Sequence, residues 1–311
     1  MVVGAGVIGL TSAVCLAEAG LAVECWTAEP PEQTTSSVAG ALWANSPLAE
    51  PGDRPTAWTH TSLGEFRELA GSGESGVHIA RGVLASRESA DPPPPQMFPG
   101  IPVRAREPAP PGYLAAFEVD APLIDMGRYL EYLEARLRAA GTEVVLHPVA
   151  ALEEAAEVAP VIVNCTGLGA RELTGDPALD AVRGQHVVLE NPGLEEFFID
   201  DRSAAEWTCW FPHGDRVILG GVAQPGVFDR EPDPAVAAAI LQRGAAVEPR
   251  LASARVLGHQ VGLRPFREEV RLEEQQLRGA RCVHNYGHGR SGVSLSWGCA
   301  REVQRIVMGE G

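Results

Sequence analysis

Near the start of the chain, Gly4-Ala5-Gly6-Val7-Ile8-Gly9 has the spacing G-x-G-x-x-G, and no other feature constrains the fold as strongly. The first glycine of such a run makes a tight turn. The second lets backbone amides approach a pyrophosphate, and the third lets a helix pack closely on a strand. The helix start then offers open N–H groups and a positive dipole end to the phosphates. The surrounding residues agree. Val2 and Val3 predict a short buried strand, cut to a stub because the chain begins there. Leu10, Val14 and Ala17 repeat at helical spacing, and Gly20 ends the helix. Residues 21–26 read as a second strand, which completes a βαβ opening. An acidic residue about 20 positions on usually takes the ribose hydroxyls. Glu29 stands there, with Glu24 as a competitor inside the strand. The alternative is a glycine turn packed for structure alone. The motif by itself does not choose between FAD and NAD.

A length of 311 residues predicts one large domain or two interleaved ones. Helices are expected over about 126–140, 233–248 and 292–308, and strands at 144–146 and 161–164. The proline runs within 91–112 predict a surface excursion. The short apolar segments at 187–189, 207–211 and 217–219, separated by turn residues, read as antiparallel strands. The last fifty residues read as glycine loops and a closing helix. The expected fold class is therefore α/β: a Rossmann-like dinucleotide domain interleaved with a mostly antiparallel sheet.

Composition excludes some partners. Arg and Lys number 25 against 41 Asp and Glu, a net charge of −16, which argues against nucleic acid or an anionic membrane. No apolar run approaches the ~18 residues of a membrane span, and the N-terminus carries no secretory signal pattern. The six cysteines are far apart, without zinc spacing. A reduced, cytoplasmic chain with no metal site is expected, and a homodimer stays open.

Four blocks resemble the D-amino-acid oxidase family of FAD-dependent amine oxidases, of the actinobacterial type. They are residues 3–10, residues 34–43 (TTSSVAGALW), residues 163–170 (VNCTGLGA), and the pair Gly262-Leu263-Arg264-Pro265 with His284-Asn285-Tyr286-Gly287-His288-Gly289. The resemblance spans almost the whole chain and implies FAD as cofactor. It implies an FAD domain assembled from residues 1–45, 138–171 and 262–311, with a substrate domain from 46–137 and 172–261. It also implies a few more residues in the first strand than this chain has. Gly4, Ala5, Gly6, Val7, Ile8 and Gly9 would wrap the pyrophosphate, with Glu29 near the ribose. Thr34, Thr35 and Ser36 would bond phosphate and ribityl oxygens. Ala39, Gly40, Ala41 and Leu42 would run along the isoalloxazine, and Thr166 and Gly167 would hold the next turn. Gly289, Ser291, Gly292, Val293 and Ser294 would bring N–H groups and a helix end to the flavin pyrimidine. His284 and His288 would order the flavin loop.

The activity implied is oxidation of a D-amino acid by hydride transfer from Cα to flavin N5. The imine is then hydrolysed to a 2-oxo acid and ammonia, while O2 becomes hydrogen peroxide. Arg264 would anchor the α-carboxylate by two parallel hydrogen bonds, with Arg267 a structural charge. Two departures from the family pattern stand out. Counting back from Pro212, Cys209 replaces a carboxylate-binding tyrosine, and Trp210 or Trp207 would refill the space. Arg290 replaces a small residue after Gly289, at the mouth of the site, either to read a second carboxylate on the substrate or to point outward to solvent. These departures keep two further readings open: a D-aspartate-type or specialised biosynthetic amine oxidase with the same chemistry, and a flavin-binding module without oxidase activity.

Overall fold

The computed structural model describes residues 1–44, 53–200 and 205–309. In chain order the elements are β1 (Val2–Val3), α1 (Val7–Glu18), β2 (Cys25–Thr27), α2 (Arg54–Ala70), β3 (Val77–Ser86), β4 (Val103–Ala105) and β5 (Ala115–Ile124). Next come α3 (Met126–Ala139), β6 (Val144–Leu146), α4 (Leu152–Ala156), β7 (Val161–Asn164), α5 (Ala170–Thr174), β8 (Asp180–Glu190), β9 (Phe197–Ile199), β10 (Glu206–His213) and β11 (Arg216–Val222). The chain ends with β12 (Gln224–Pro225), α6 (Pro234–Val247), β13 (Val256–Leu277), β14 (Ala280–His288) and α7 (Gly292–Met308).

Among the described residues the strands form one sheet, in the order β4-β5-β3-β9-β10-β11-β8-β13-β14-β7-β1-β2-β6, with β12 on β8. The run β14-β7-β1-β2-β6 is parallel. Its strands come from 1–45, 138–171 and 262–311, and β1, β2 and β7 are apolar enough to be covered on both faces. The rest is antiparallel except for β3 beside β9. β13 joins the two regimes: its first half pairs with β8 and its second half with β14. The register shifts between Phe266 and Arg271, where one partner gives way to the other.

The helices position the site. α1 is apolar nearly all round and is buried against α7 and α3. α2 packs on α7, and its start is fixed by Asp53, whose side chain accepts from the Thr56 N–H at 2.7 Å. One apolar cluster runs from Val2 and Leu10 through Phe66, Leu133 and Trp297 to Cys209 and Phe211, so a single core serves both halves of the sheet.

Two expectations need correction, and two elements went unread in the sequence. The second strand covers only Cys25–Thr27, because β1 is two residues long and offers partners only to Cys25 and Trp26. α2 and β3 were not legible, since their charged and apolar residues mix without a clean period. The segment 262–288 is mostly strand rather than glycine loop. Gly262 and Gly287 sit inside β13 and β14, where neighbouring groups come close: an added Cβ would meet Val38 at 2.9 Å and Arg267 at 2.8 Å.

Candidate active site

The glycine run is built for close approach. Gly4 has φ +107°, and an added Cβ would lie 2.3 Å from the Cys165 carbonyl oxygen. At Gly9 it would lie 1.8 Å from the Gly4 oxygen. The run therefore brings β1, α1 and the end of β7 into contact. Gly6, at the N-cap of α1, makes no side-chain cap bond. Ser36 Oγ accepts from the Val7 N–H at 2.9 Å, and Ala5 and Ile8 flank these positions. The other leading N–H groups have no intrahelical acceptor.

Thr34 and Thr35 direct their hydroxyl hydrogens to carbonyls, of Pro31 at 2.7 Å and of Leu263 at 3.2 Å. Ser36 accepts from Val7, and its hydroxyl hydrogen has no acceptor among the described residues. Glu29 is already engaged: its Oε2 lies 3.0 Å from Nη1 of Arg230, whose Nη2 donates to the Gln33 carbonyl at 2.8 Å. Sequence reasoning missed Arg230. Residues 1–44 contain no Arg or Lys, so a cation at this cleft has to come from a distant segment, and nothing local announces which one.

Residues 39–44 form a strip beside β5. Leu42 bridges Leu123, the Ile124 N–H donates to the Ala41 carbonyl at 3.0 Å, and the Ala44 N–H donates to Ser294 Oγ at 3.2 Å. Ala41 adopts φ +51°, a left-handed conformation that costs a non-glycine residue about 1–2 kcal/mol. The Phe211 ring lies against Gly40. On the far side, Asn164 Oδ1 accepts from the Thr166 N–H and Oγ1 at 3.2 and 2.7 Å, and Gly167 follows with φ +57°. Asn164 Nδ2 donates to His284 Nδ1 at 3.2 Å, which leaves His284 Nε2–H to donate to Gln275 Oε1 at 3.1 Å. Burial, with the Arg271 charge, pushes His284 down to about 4, so it is neutral and structural. β14 ends in the turn Gly289-Arg290-Ser291, and α7 begins at Gly292 with no side-chain cap at Ser291. Val293 and Ser294, in the first turn of α7, are buried.

The opposite wall holds Arg264. Its guanidinium lies across Gly184, where an added Cβ would be 2.3 Å from Nη2. Its Nη1 donates to the Val222 carbonyl at 3.2 Å, and no described carboxylate pairs with it. Burial and the Arg290 charge push its pKa down to about 10, so it stays charged at neutral pH, and Cys209 is near enough to bear on that charge. His186, pushed to about 4 by burial and by Arg264, donates its Nδ1–H to the Val38 carbonyl, 3.0 Å away. Thus Arg264, Cys209 and the 34–44 strip meet.

Trp210 does not join them. It lies in the second apolar cluster, its ring stacked on Phe198 at 4.3 Å and its Nε1 donating to the Glu196 carbonyl at 3.0 Å. Cys209 and Phe211 face the main core instead, so strand alternation turns Trp210 away. Trp207 takes the place beside the site, under the Arg290 guanidinium. Arg267 is structural, bonded to Asp176 at 3.0 Å.

The residues present fit a dinucleotide. The glycine cradle would be filled by any Cβ, two helix starts lack side-chain caps, and Asn285 Oδ1 and His288 Nε2 are buried without a partner among the described residues.

Comparison with known proteins agrees with this geometry. The family described as FAD dependent oxidoreductase (DAO) matches residues 1–306. A protein named D-amino-acid oxidase from Rubrobacter xylanophilus is 47% identical over 310 residues, covering 99% of this chain and 95% of that one. Another of the same name from Streptomyces coelicolor is 49% identical over 313 residues, covering 99% and 96%. Among solved structures, a glycine oxidase from Geobacillus kaustophilus superposes with a TM-score of 0.84 at 19% identity, covering 99% of this chain and 93% of that one. The chain belongs to the DAO family of FAD-dependent oxidoreductases.

Proposed function

We propose that this protein oxidises D-amino acids to 2-oxo acids in the cytoplasm. The overall reaction consumes the amino acid, O2 and water, and yields the 2-oxo acid, ammonia and hydrogen peroxide. The observation that carries the reading is Arg264: a charged, half-buried guanidinium with no carboxylate partner among the described residues, where the segments of both sheet regimes meet. A planar fork of this kind matches a substrate α-carboxylate.

When bound, FAD supplies the two-electron acceptor for the Cα hydride and passes the electrons to O2. The chain supplies the rest. Gly4, Ala5, Gly6, Val7, Ile8, Gly9 and Ser36 would hold the pyrophosphate by backbone N–H groups and one hydroxyl. Thr34 and Thr35 brace that loop against Pro31 and Leu263. Ala39, Gly40, Ala41 and Leu42 form a wall for the ring, with Thr166 and Gly167 on the other edge. The start of α7, from Gly289 and Ser291 to Gly292, Val293 and Ser294, favours negative charge that develops beside it. Arg264 orients the substrate and so places Cα. Cys209 stands where a hydroxyl would share the carboxylate. A thiol is a weaker donor, so Arg264 carries more of that load. No acid–base residue is required, which agrees with His186, His284 and His288 all being held neutral by burial.

Peroxide release from FAD-loaded protein, measured across D-amino acids with their L-enantiomers and glycine, tests the reading. Release with D-amino acids and not with L-amino acids is expected. A yellow, FAD-bound protein that releases none with any D-amino acid would overturn it.

A further inference from the structure

Arg264 is not the one guanidinium at this site without a carboxylate. Arg290 stands at the mouth, exposed, in the turn between β14 and α7. It makes no hydrogen bond or ion pair with any described residue, and its guanidinium carbon lies 5.7 Å from the centroid of the Trp207 ring. The neighbouring arginines behave differently. Arg267 and Arg271 both reach Asp176, and Arg271 also reaches Glu273. In a chain of net charge −16, acidic partners are plentiful, yet neither Arg264 nor Arg290 has one among the described residues. The two are near enough for the Arg290 charge to help depress Arg264, after burial.

Two like charges near enough to interact are unfavourable until an anion enters between them. A single α-carboxylate satisfies the Arg264 fork. Arg290 is the more exposed of the two, so its fork lies on the solvent side of Arg264, the side toward which a substrate side chain would run once the α-carboxylate is seated. The Trp207 ring face fixes one side of the Arg290 guanidinium by a cation–π contact and leaves its N–H edge open. We propose that Arg290 binds a second carboxylate carried on the substrate side chain, so that acidic D-amino acids are the preferred substrates. The inference rests on the D-amino-acid reading above and narrows it.

The test compares isosteric pairs on the holoenzyme: D-aspartate with D-asparagine, and D-glutamate with D-glutamine. The expected kcat/KM ratio of acid to amide is about 30-fold or more, the size usual for a charged pair at a binding site. Arg290→Met keeps length and packing without charge and should bring the ratio close to one, and Arg290→Lys should restore part of it. A wild-type ratio at or below one, with the amides oxidised, overturns the role of Arg290 and leaves the oxidase reading standing. So does a ratio that Arg290→Met does not move.

If no D-amino acid is oxidised, the oxidase reading fails, and ligand binding decides the remaining point. Succinate and propionate would be titrated into the FAD-loaded protein and followed by the flavin absorbance. Tighter binding of succinate that is lost in Arg290→Met supports the second carboxylate site, and equal binding overturns it.

Discussion

Arg264 holds its charge half-buried, and among the described residues one carbonyl, that of Val222, accepts from its guanidinium. Leaving a charged partner unmatched in such a setting usually costs roughly 2–5 kcal/mol. Arg264→Ala should therefore lower kcat/KM by about a hundredfold or more, and Arg264→Lys should recover only part, since an ammonium cannot make two parallel bonds. Peroxide kinetics on purified, FAD-loaded variants would check this, and an unchanged kcat/KM would remove Arg264 from the carboxylate site. The residue was legible because Gly262 and Pro265 flank it and its surroundings match the family pattern. Its seat was not legible. Only the β8–β13 register sets Gly184 beneath the guanidinium, with Gly184 opposite Gly262 two residues before Arg264. Trp210 failed for a related reason: which face of β10 meets the site depends on the neighbouring strands.

At the scale of elements, the segment between β11 and α6 reaches back to the dinucleotide cleft. Arg183, buried on β8, donates to the carbonyls of Asp229 and Glu231 at 3.0 and 2.7 Å and fixes this segment. Arg230 then extends from it to Glu29 and Gln33. Without Arg230 the Glu29 carboxylate, expected near the ribose, would add an uncompensated negative charge to the side where the anionic cofactor would lie. Arg230→Ala should weaken FAD binding by about two- to fivefold, in keeping with a solvent-exposed pair. FAD titration of the apoprotein, read by quenching of flavin fluorescence, measures this. An unchanged Kd would make the pair a surface contact without bearing on the cofactor. The helix starts and the β7 turn could be read from glycine and hydroxyl spacing. Arg230 could not, because its partner lies about 200 residues away in the chain.

Across the whole molecule, burial holds a set of histidines neutral. His186, His213 and His284 are each pushed down to about 4, and His288 to about 3. In the unfolded chain a histidine titrates near 6.5. Between those values the unfolded state binds more protons than the folded one, so stability falls as pH drops from about 6.5 towards 4. Above 6.5 these groups are neutral in both states and contribute no slope. The Asp176 carboxyl, depressed through Tyr286, the Ala178 N–H and Arg267 against the effect of burial, adds a further loss at still lower pH. The thermal midpoint should therefore decline steeply below pH 6.5 and stay nearly level from 7 to 8. A midpoint that holds level down to pH 4.5 would show that these histidines take up protons without unfolding the chain.

The amino-acid sequence by itself determined the βαβ opening, the helices α3, α6 and α7, and the candidate residues proposed for the site. Those follow from local physics: glycine where a backbone must come close, apolar residues at a helical or strand period, prolines where pairing stops. Tertiary structure decided the rest. It split β13 between two partners, set Arg264 across Gly184, turned Trp207 rather than Trp210 toward the mouth, and gave Glu29 its partner in Arg230. Each of these depends on strand register or on a contact between distant segments. Neither leaves a period or a motif in the chain, because the energy that fixes it belongs to the assembled sheet.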